Sequence, residues 1–174
     1  MKGHVIISHG LESSPDATKA TALSRVAESM GWTQQRPDYR SWDNDVSRSR
    51  LGDVAGRIAH LQQLAAGIEG PLVLAGSSMG AFISARVSLV VPVAGLFLMA
   101  PPTQLEGHAI VMEAARVPTR IVHGWDDELI PAEAVMQWAR ARRDTTVFVD
   151  DGHRLANHVE FCADEFGRLL ASLA

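Results

Sequence analysis

Ser78 stands midway between two glycines in Gly76-Ser77-Ser78-Met79-Gly80, directly after the apolar run 71–75 and before the helix-compatible segment 81–86. A serine held on a very sharp strand-to-helix turn needs neighbours without side chains two residues before and two after it, which is the G-x-S-x-G pattern. In that setting the backbone N–H of Met79 points to where an oxyanion would form, and the helix N-terminus adds positive potential. A hydroxyl becomes a useful nucleophile only when a base takes its proton and a third group orients the base. Of the seven histidines, His153 is the candidate base, because it lies in 150–155, between the strand-like run 145–149 and the last helical pattern. His158 falls inside that helical pattern beside Val159 and reads as a half-buried packing residue, while His4, His60, His108 and His123 read as structural. The orienting acid is expected after the run 120–122, where Asp126 and Asp127 follow His123-Gly124-Trp125. Consecutive residues point in different directions, so one aspartate faces the histidine and the other caps a helix near Pro131 or stays solvated. Ser8-His9-Gly10-Leu11 follows the first apolar run, and its glycine lets the chain turn so that the Leu11 N–H can face the serine. Together these groups suit nucleophilic acyl transfer.

Such groups must be carried on strand ends. Short, continuous apolar runs at 5–7, 71–75, 93–99, 120–122 and 145–149 are what strands buried on both faces of a parallel sheet look like, with a weaker strand at 33–36. Between them lie helical patterns. Val54, Ile58, Leu61, Leu64 and Ile68 mark one helix face, and Leu155, Val159, Cys162, Phe166 and Leu169 mark another. The segment 17–30, closed by Gly31, and a helix opening at Pro131 complete the set. Alternating strands and helices predict an α/β fold with a mostly parallel sheet. No linker, repeat or low-complexity stretch interrupts the chain, so residues 1–174 are expected to form one domain.

The 174 residues are 47% hydrophobic and 21% charged, with a formal net charge of -4. That composition is globular rather than disordered. The densest basic stretch, Arg140, Arg142 and Arg143, is followed at once by Asp144 and reads as a solvated helix end, not as a phosphate-neutralising surface. Nucleic acid is therefore not an expected partner. One cysteine, Cys162, rules out an internal disulfide. No segment has the apolar length of a signal peptide core or a membrane span, so the expectation is a cytoplasmic protein without a membrane partner.

His9-Gly10, Gly76-x-Ser78-x-Gly80, the segment 123–131 and Gly152-His153, in that order, resemble the α/β-hydrolase superfamily over nearly the whole chain. The resemblance implies a three-layer fold with about six mostly parallel strands and helices on both faces. It departs from the family in lacking the first two strands, and the stretch 99–119 has room for one helix and a loop but not for a lid domain. It also implies that the acid, three residues past the strand-ending Gly124, is Asp127, giving a Ser78-His153-Asp127 triad with Leu11 and Met79 as oxyanion donors. Short esterase-like members and the dienelactone-hydrolase neighbourhood are the most similar subgroups, although Ser78 stands where the latter carry cysteine. The expected activity is cleavage of a carboxylic ester or thioester of a small to medium acyl group, with no cofactor and no metal. The expected pocket takes in Glu12, Trp42, Pro101 and Trp125, together with Leu11, Met79, Pro102 and Leu155. Two alternatives stay open: a non-catalytic binding protein on the same scaffold, and an acyltransferase or perhydrolase using the same triad.

Overall fold

The four central apolar runs become strands because each has a helix layer to meet on both of its faces, while the run 145–149 forms a partly buried edge strand. A computed structural model, which describes residues 2–174, has six strands: β1 (His4–Ser8), β2 (Thr33–Gln35), β3 (Leu72–Ser77), β4 (Gly95–Met99), β5 (Thr119–Gly124) and β6 (Thr145–Val149). They form one all-parallel sheet in the order β2-β1-β3-β4-β5-β6. The helices are α1 (Thr18–Ser29), α2 (Arg40–Asp43), α3 (Val54–Ala66), α4 (Met79–Val87), α5 (Ala132–Arg142) and α6 (Val159–Ser172).

Alternation along the strands divides the core in two. Ile6, Leu74, Leu96, Leu98 and Ile121 face one side, where they meet Leu61 of α3, Phe82 of α4 and Val135 of α5. Val5, Ile7, Val73, Phe97 and Val122 face the other, against Leu23 of α1 and Phe166 of α6. The register keeps the faces aligned, Val5 opposite Val73 and Ile6 opposite Leu74. A fully buried Leu, Ile or Phe stabilises by about 1.5–3 kcal/mol, so two full layers account for the continuous apolarity of the runs.

Helix limits follow local chemistry. Asp53 caps α3 by accepting the Gly56 N–H at 2.9 Å. Pro131 immediately precedes α5, which ends at Arg143 in the left-handed region (φ 64°). The last helix starts later than the apolar periodicity suggests. It begins at Val159, and Leu155 lies before it with φ 51° and a fully buried side chain.

The segment 100–118 holds no helix. It has one isolated bridge, between Gln104 and Val111, and it drops Leu105, Met112 and Ala114 into the core. Its prolines at 101, 102 and 118 lack the N–H that a helix would use. A feature without a sequence signal is the four-residue helix α2, packed on α3.

The strand order places β1 and β3 side by side, although the chain leaves them for opposite faces, through α1 after β1 and α4 after β3. Loops that part in this way open a crevice at the C-terminal strand ends, where open α/β sheets take ligands. Ser78 stands at that switch point.

Two glycines let this arrangement close. A Cβ on Gly76 would collide with the backbone of Gly80, and one on Gly80 would land on the Ser8 carbonyl. Gly80→Ala is therefore expected to cost at least about 3 kcal/mol of stability. Gly67→Ala, whose Cβ would find ordinary contacts no closer than 3.5 Å, is expected to be neutral or stabilising. Urea melts of the two variants check this, and equal midpoints would contradict the close approach.

Candidate active site

The elbow at Ser78 is strained. Its φ of 52° and ψ of -116° lie in a region that non-glycine residues rarely adopt, at a cost of about 1–3 kcal/mol. Backbone bonds on both sides hold it: the Ser78 N–H donates to the Met99 carbonyl at 2.9 Å, and the Ser78 carbonyl accepts the Phe82 N–H at 3.0 Å. The bend lifts the hydroxyl off the end of β3.

Ser78 Oγ lies 2.9 Å from His153 Nε2, and His153 Nδ1 lies 2.8 Å from Asp127 Oδ2. The three residues come from the loops after β3, β6 and β5, so their meeting is a product of the sheet order. The Asp127 side chain is 0% exposed, yet its oxygens are fully engaged. Oδ1 accepts the N–H groups of Leu129 at 2.9 Å and Ile130 at 2.7 Å. Burial pushes this carboxyl up, but the bonds from His153, Ile130 and Leu129 outweigh it and hold the group below the usual aspartate range. A carboxylate only accepts, so His153 carries its proton on Nδ1 and offers Nε2 to the serine hydroxyl. Asp126 is exposed; its backbone N–H donates to Asp151 O at 3.1 Å, and its side chain caps nothing on α5.

Further side chains tie down this carboxylate and the histidine loop. His123, fully buried, donates from Nε2 to the Ile130 carbonyl at 2.9 Å and lies 3.5 Å from Asp127 Oδ2. Asp151 accepts the Gly152 and Asn157 N–H groups at 2.8 and 2.9 Å and meets His158 Nδ1 at 2.9 Å. His158, immediately before α6, is thus a loop fastener and not only packing. Lys19 reaches across from α1 to the Arg154 carbonyl.

Gly10 borders the serine, since a Cβ built there would lie 3.5 Å from Ser78 Cβ. Among the described residues, neither the Leu11 N–H nor the Met79 N–H has an acceptor within the protein. Beneath this loop lies a buried group that helix periodicity passed over. His9 donates from Nδ1 to the Gly10 carbonyl (2.7 Å) and accepts the Tyr39 N–H on Nε2 (2.9 Å). Arg57 packs against it. A signal for Arg57 did exist: it stands three residues after Val54 and four before Leu61, on the apolar stripe of α3.

The expected pocket residues have separate surroundings. Glu12 is exposed with φ 55°, next to the half-buried Leu11. Pro101 is buried past the end of β4. Trp125 is 51% exposed and stacks on Phe148 at 4.6 Å. Trp42 instead stacks on His60 at 4.6 Å and covers Gly56, an anchoring position on α3. Leu155 lies in the core among Cys162 and Phe166. His4 and His108 have hydroxyl partners, Thr33 and Ser49.

This fold recurs in known structures. A crystal structure from Xanthomonas campestris pv. campestris, described as a candidate hydrolase of the alpha/beta superfamily, is 50% identical to the chain, covers 98% of it and 99% of itself, and superposes with a TM-score of 0.96. An alpha-beta serine hydrolase homologue from Coxiella burnetii is 26% identical over 98% of this chain and 86% of its own, with a TM-score of 0.76. A second Xanthomonas campestris protein, described as an a/b serine hydrolase without a lid, shares the fold at 19% identity and a TM-score of 0.68, over 97% and 81% of the two chains. No protein-family model matches the sequence, and neither does any curated protein. The chain belongs to the alpha/beta hydrolase superfamily.

The buried imidazoles make the fold acid-sensitive. Burial holds both His9 and His123 below the ordinary histidine range. The unfolded chain takes up protons near pH 6.5 that the folded chain resists. This part of the stability is complete above that pH and is lost as pH falls toward the lower, folded values. The urea midpoint is expected to drop between pH 7 and pH 5; a flat midpoint would contradict the burial of these rings.

Proposed function

We propose that the protein is a serine hydrolase cleaving a carboxylic ester or thioester of a small to medium acyl group, with Ser78 as nucleophile, His153 as base and Asp127 as orienting acid. The observation that carries this reading is the unbroken chain of contacts Ser78 Oγ to His153 to Asp127, at 2.9 and 2.8 Å, from three separate strand ends. Descriptions of the similar proteins as hydrolases support the same class.

In acylation, Ser78 Oγ attacks the carbonyl carbon as its proton moves to His153 Nε2. Asp127, kept ionised by its own hydrogen bonds, stabilises the resulting imidazolium without taking its proton. The carbonyl oxygen becomes an oxyanion between the N–H groups of Leu11 and Met79, each worth about 3 kcal/mol by the loss seen when such a donor is removed. The intermediate collapses, His153 protonates the departing alcohol or thiol, and an acyl-Ser78 remains. Water, deprotonated by His153, then attacks the acyl carbon and releases the acid and free Ser78. The exposed Trp125 and Glu12, with Pro101, are proposed to edge an open, lidless acyl site in which Trp42 supports from behind. A cytoplasmic location and a small-molecule substrate belong to the same reading; among the described residues no helix is long and apolar enough to cross a membrane.

Ser78→Ala and His153→Ala are each expected to lower turnover of p-nitrophenyl esters or acyl thioesters by about 10⁴-fold or more while keeping the fold. Asp127→Asn is expected to lose about 10³–10⁴-fold, and Asp126→Asn almost nothing. A fluorophosphonate probe should label wild type at Ser78 alone. Retained turnover in Ser78→Ala would overturn the mechanism; a wild type that neither labels nor turns over would favour a binding protein on this scaffold.

A further inference from the structure

Arg57 is fully buried, and its donors converge on one short segment. Nη1 donates to the His9 carbonyl at 2.9 Å, and Nη2 to the Gly10 carbonyl at 3.2 Å. Its other face is held by Asp43, with Nε at 2.5 Å from Oδ1 and Nη2 at 2.6 Å from Oδ2. The guanidinium lies over the Tyr39 ring, 4.5 Å from its centroid. A buried guanidinium needs an anion and hydrogen-bond acceptors; here Asp43 and two carbonyls take four of its five N–H groups, and the two carbonyls are successive main-chain groups of the loop beside Ser78.

Planarity gives this grip its consequence. The Gly10 carbonyl and the Leu11 N–H belong to one peptide group, and no peptide bond among the described residues is cis. In a trans peptide the C=O and N–H point in opposite directions. Fixing the Gly10 oxygen on Arg57 and His9 therefore turns the Leu11 N–H away from them, and Gly10 itself borders Ser78. The cation also polarises that peptide, which strengthens its N–H as a donor in a site of low dielectric.

We infer that Arg57, clamped by Asp43, is a positioning residue that aims the Leu11 N–H at the oxyanion. This inference rests on the acyl-transfer reading above. Without the guanidinium, the His9 carbonyl loses its side-chain donor and the Gly10 carbonyl keeps only His9 Nδ1, so the Gly10–Leu11 peptide is held less firmly, which weakens transition-state binding more than substrate binding.

The test compares wild type, Arg57→Lys and the double variant Asp43→Leu/Arg57→Met in the full chain, with active sites counted by exhaustive fluorophosphonate labelling. The double variant removes both buried charges together, a change that folds tolerate better than stranding one. Its kcat per labelled site is expected to fall about 10²–10³-fold on p-nitrophenyl butyrate, with KM nearly unchanged. Inhibition by a trifluoromethyl ketone, which forms the tetrahedral adduct, should weaken in parallel, while binding of the matching secondary alcohol stays put. Arg57→Lys, with its charge but one donor head, should recover part of the loss. A merely structural arginine would lower the labelled fraction and leave kcat per site alone. Unchanged kcat per site, or a loss confined to KM, overturns the inference. Should the double variant not fold, an unchanged kcat per site in Arg57→Lys overturns it equally. A wild type that neither labels nor hydrolyses any ester removes the acyl-transfer reading first, a result distinct from an active wild type whose variants keep pace with it.

Discussion

The reversal of the chain at Ser78 is the constraint around which the rest is arranged. A residue at φ 52° and ψ -116° persists only where its surroundings over-determine it. Here the first turn of α4 is pressed onto the ends of β3 and β1, closely enough that a methyl group on Gly80 has no room. The Met99 and Phe82 backbone bonds lock the bend from both sides. Burial on both faces of the sheet, through Leu74, Phe82 and Leu98 on one and Val73 and Phe97 on the other, supplies far more than the strain costs.

Around that bend the protein buries two charges of opposite sign, each with its own set of partners. Asp127 is enclosed by two backbone N–H groups and an imidazole. Arg57 is enclosed by two carbonyls, a carboxylate and an aromatic face. In a low-dielectric interior an unpaired group is expensive and a paired one is rigid, so these sets hold the loops after β5 and β1 in single conformations. On the Asp127 side, His123 adds to the hold by fastening Ile130 beside the carboxylate. The result is a site whose working loops are fixed by charge satisfaction as much as by packing, on a sheet that presents all their strand ends along one edge.

Much of this was legible in the residue order. The continuous apolar runs located five strands, four of them because strands buried on two faces carry no alternation to disguise them, and the run at 33–36 proved to be the short edge strand β2. Gly76-x-Ser78-x-Gly80 located the bend because close backbone approach leaves so few residue choices. The segment 100–118 was harder: its apolar residues anchor a loop, not a helix, and only the prolines hinted at it. The helix α2, at Arg40–Asp43, had no signal because four residues carry no period. The double fastening of the histidine loop by Asp151, and the engagement of Trp42 with His60, depend on neighbours distant in the chain.

What the sequence determined by itself was local and periodic: which runs are strands, which faces of helices are apolar, where a tight turn demands glycine, and which serine, histidine and aspartates end up at strand ends. These follow from short-range sterics and from the partition of side chains between water and core. Only the tertiary structure decided which aspartate meets His153, that Leu155 is core, and that an arginine on an apolar helix stripe grips the loop beside Ser78. Those outcomes depend on strand order and on the matching of buried donors to acceptors, which bring together groups as far apart in the chain as Ser78 and His153 and leave no trace in the spacing of either.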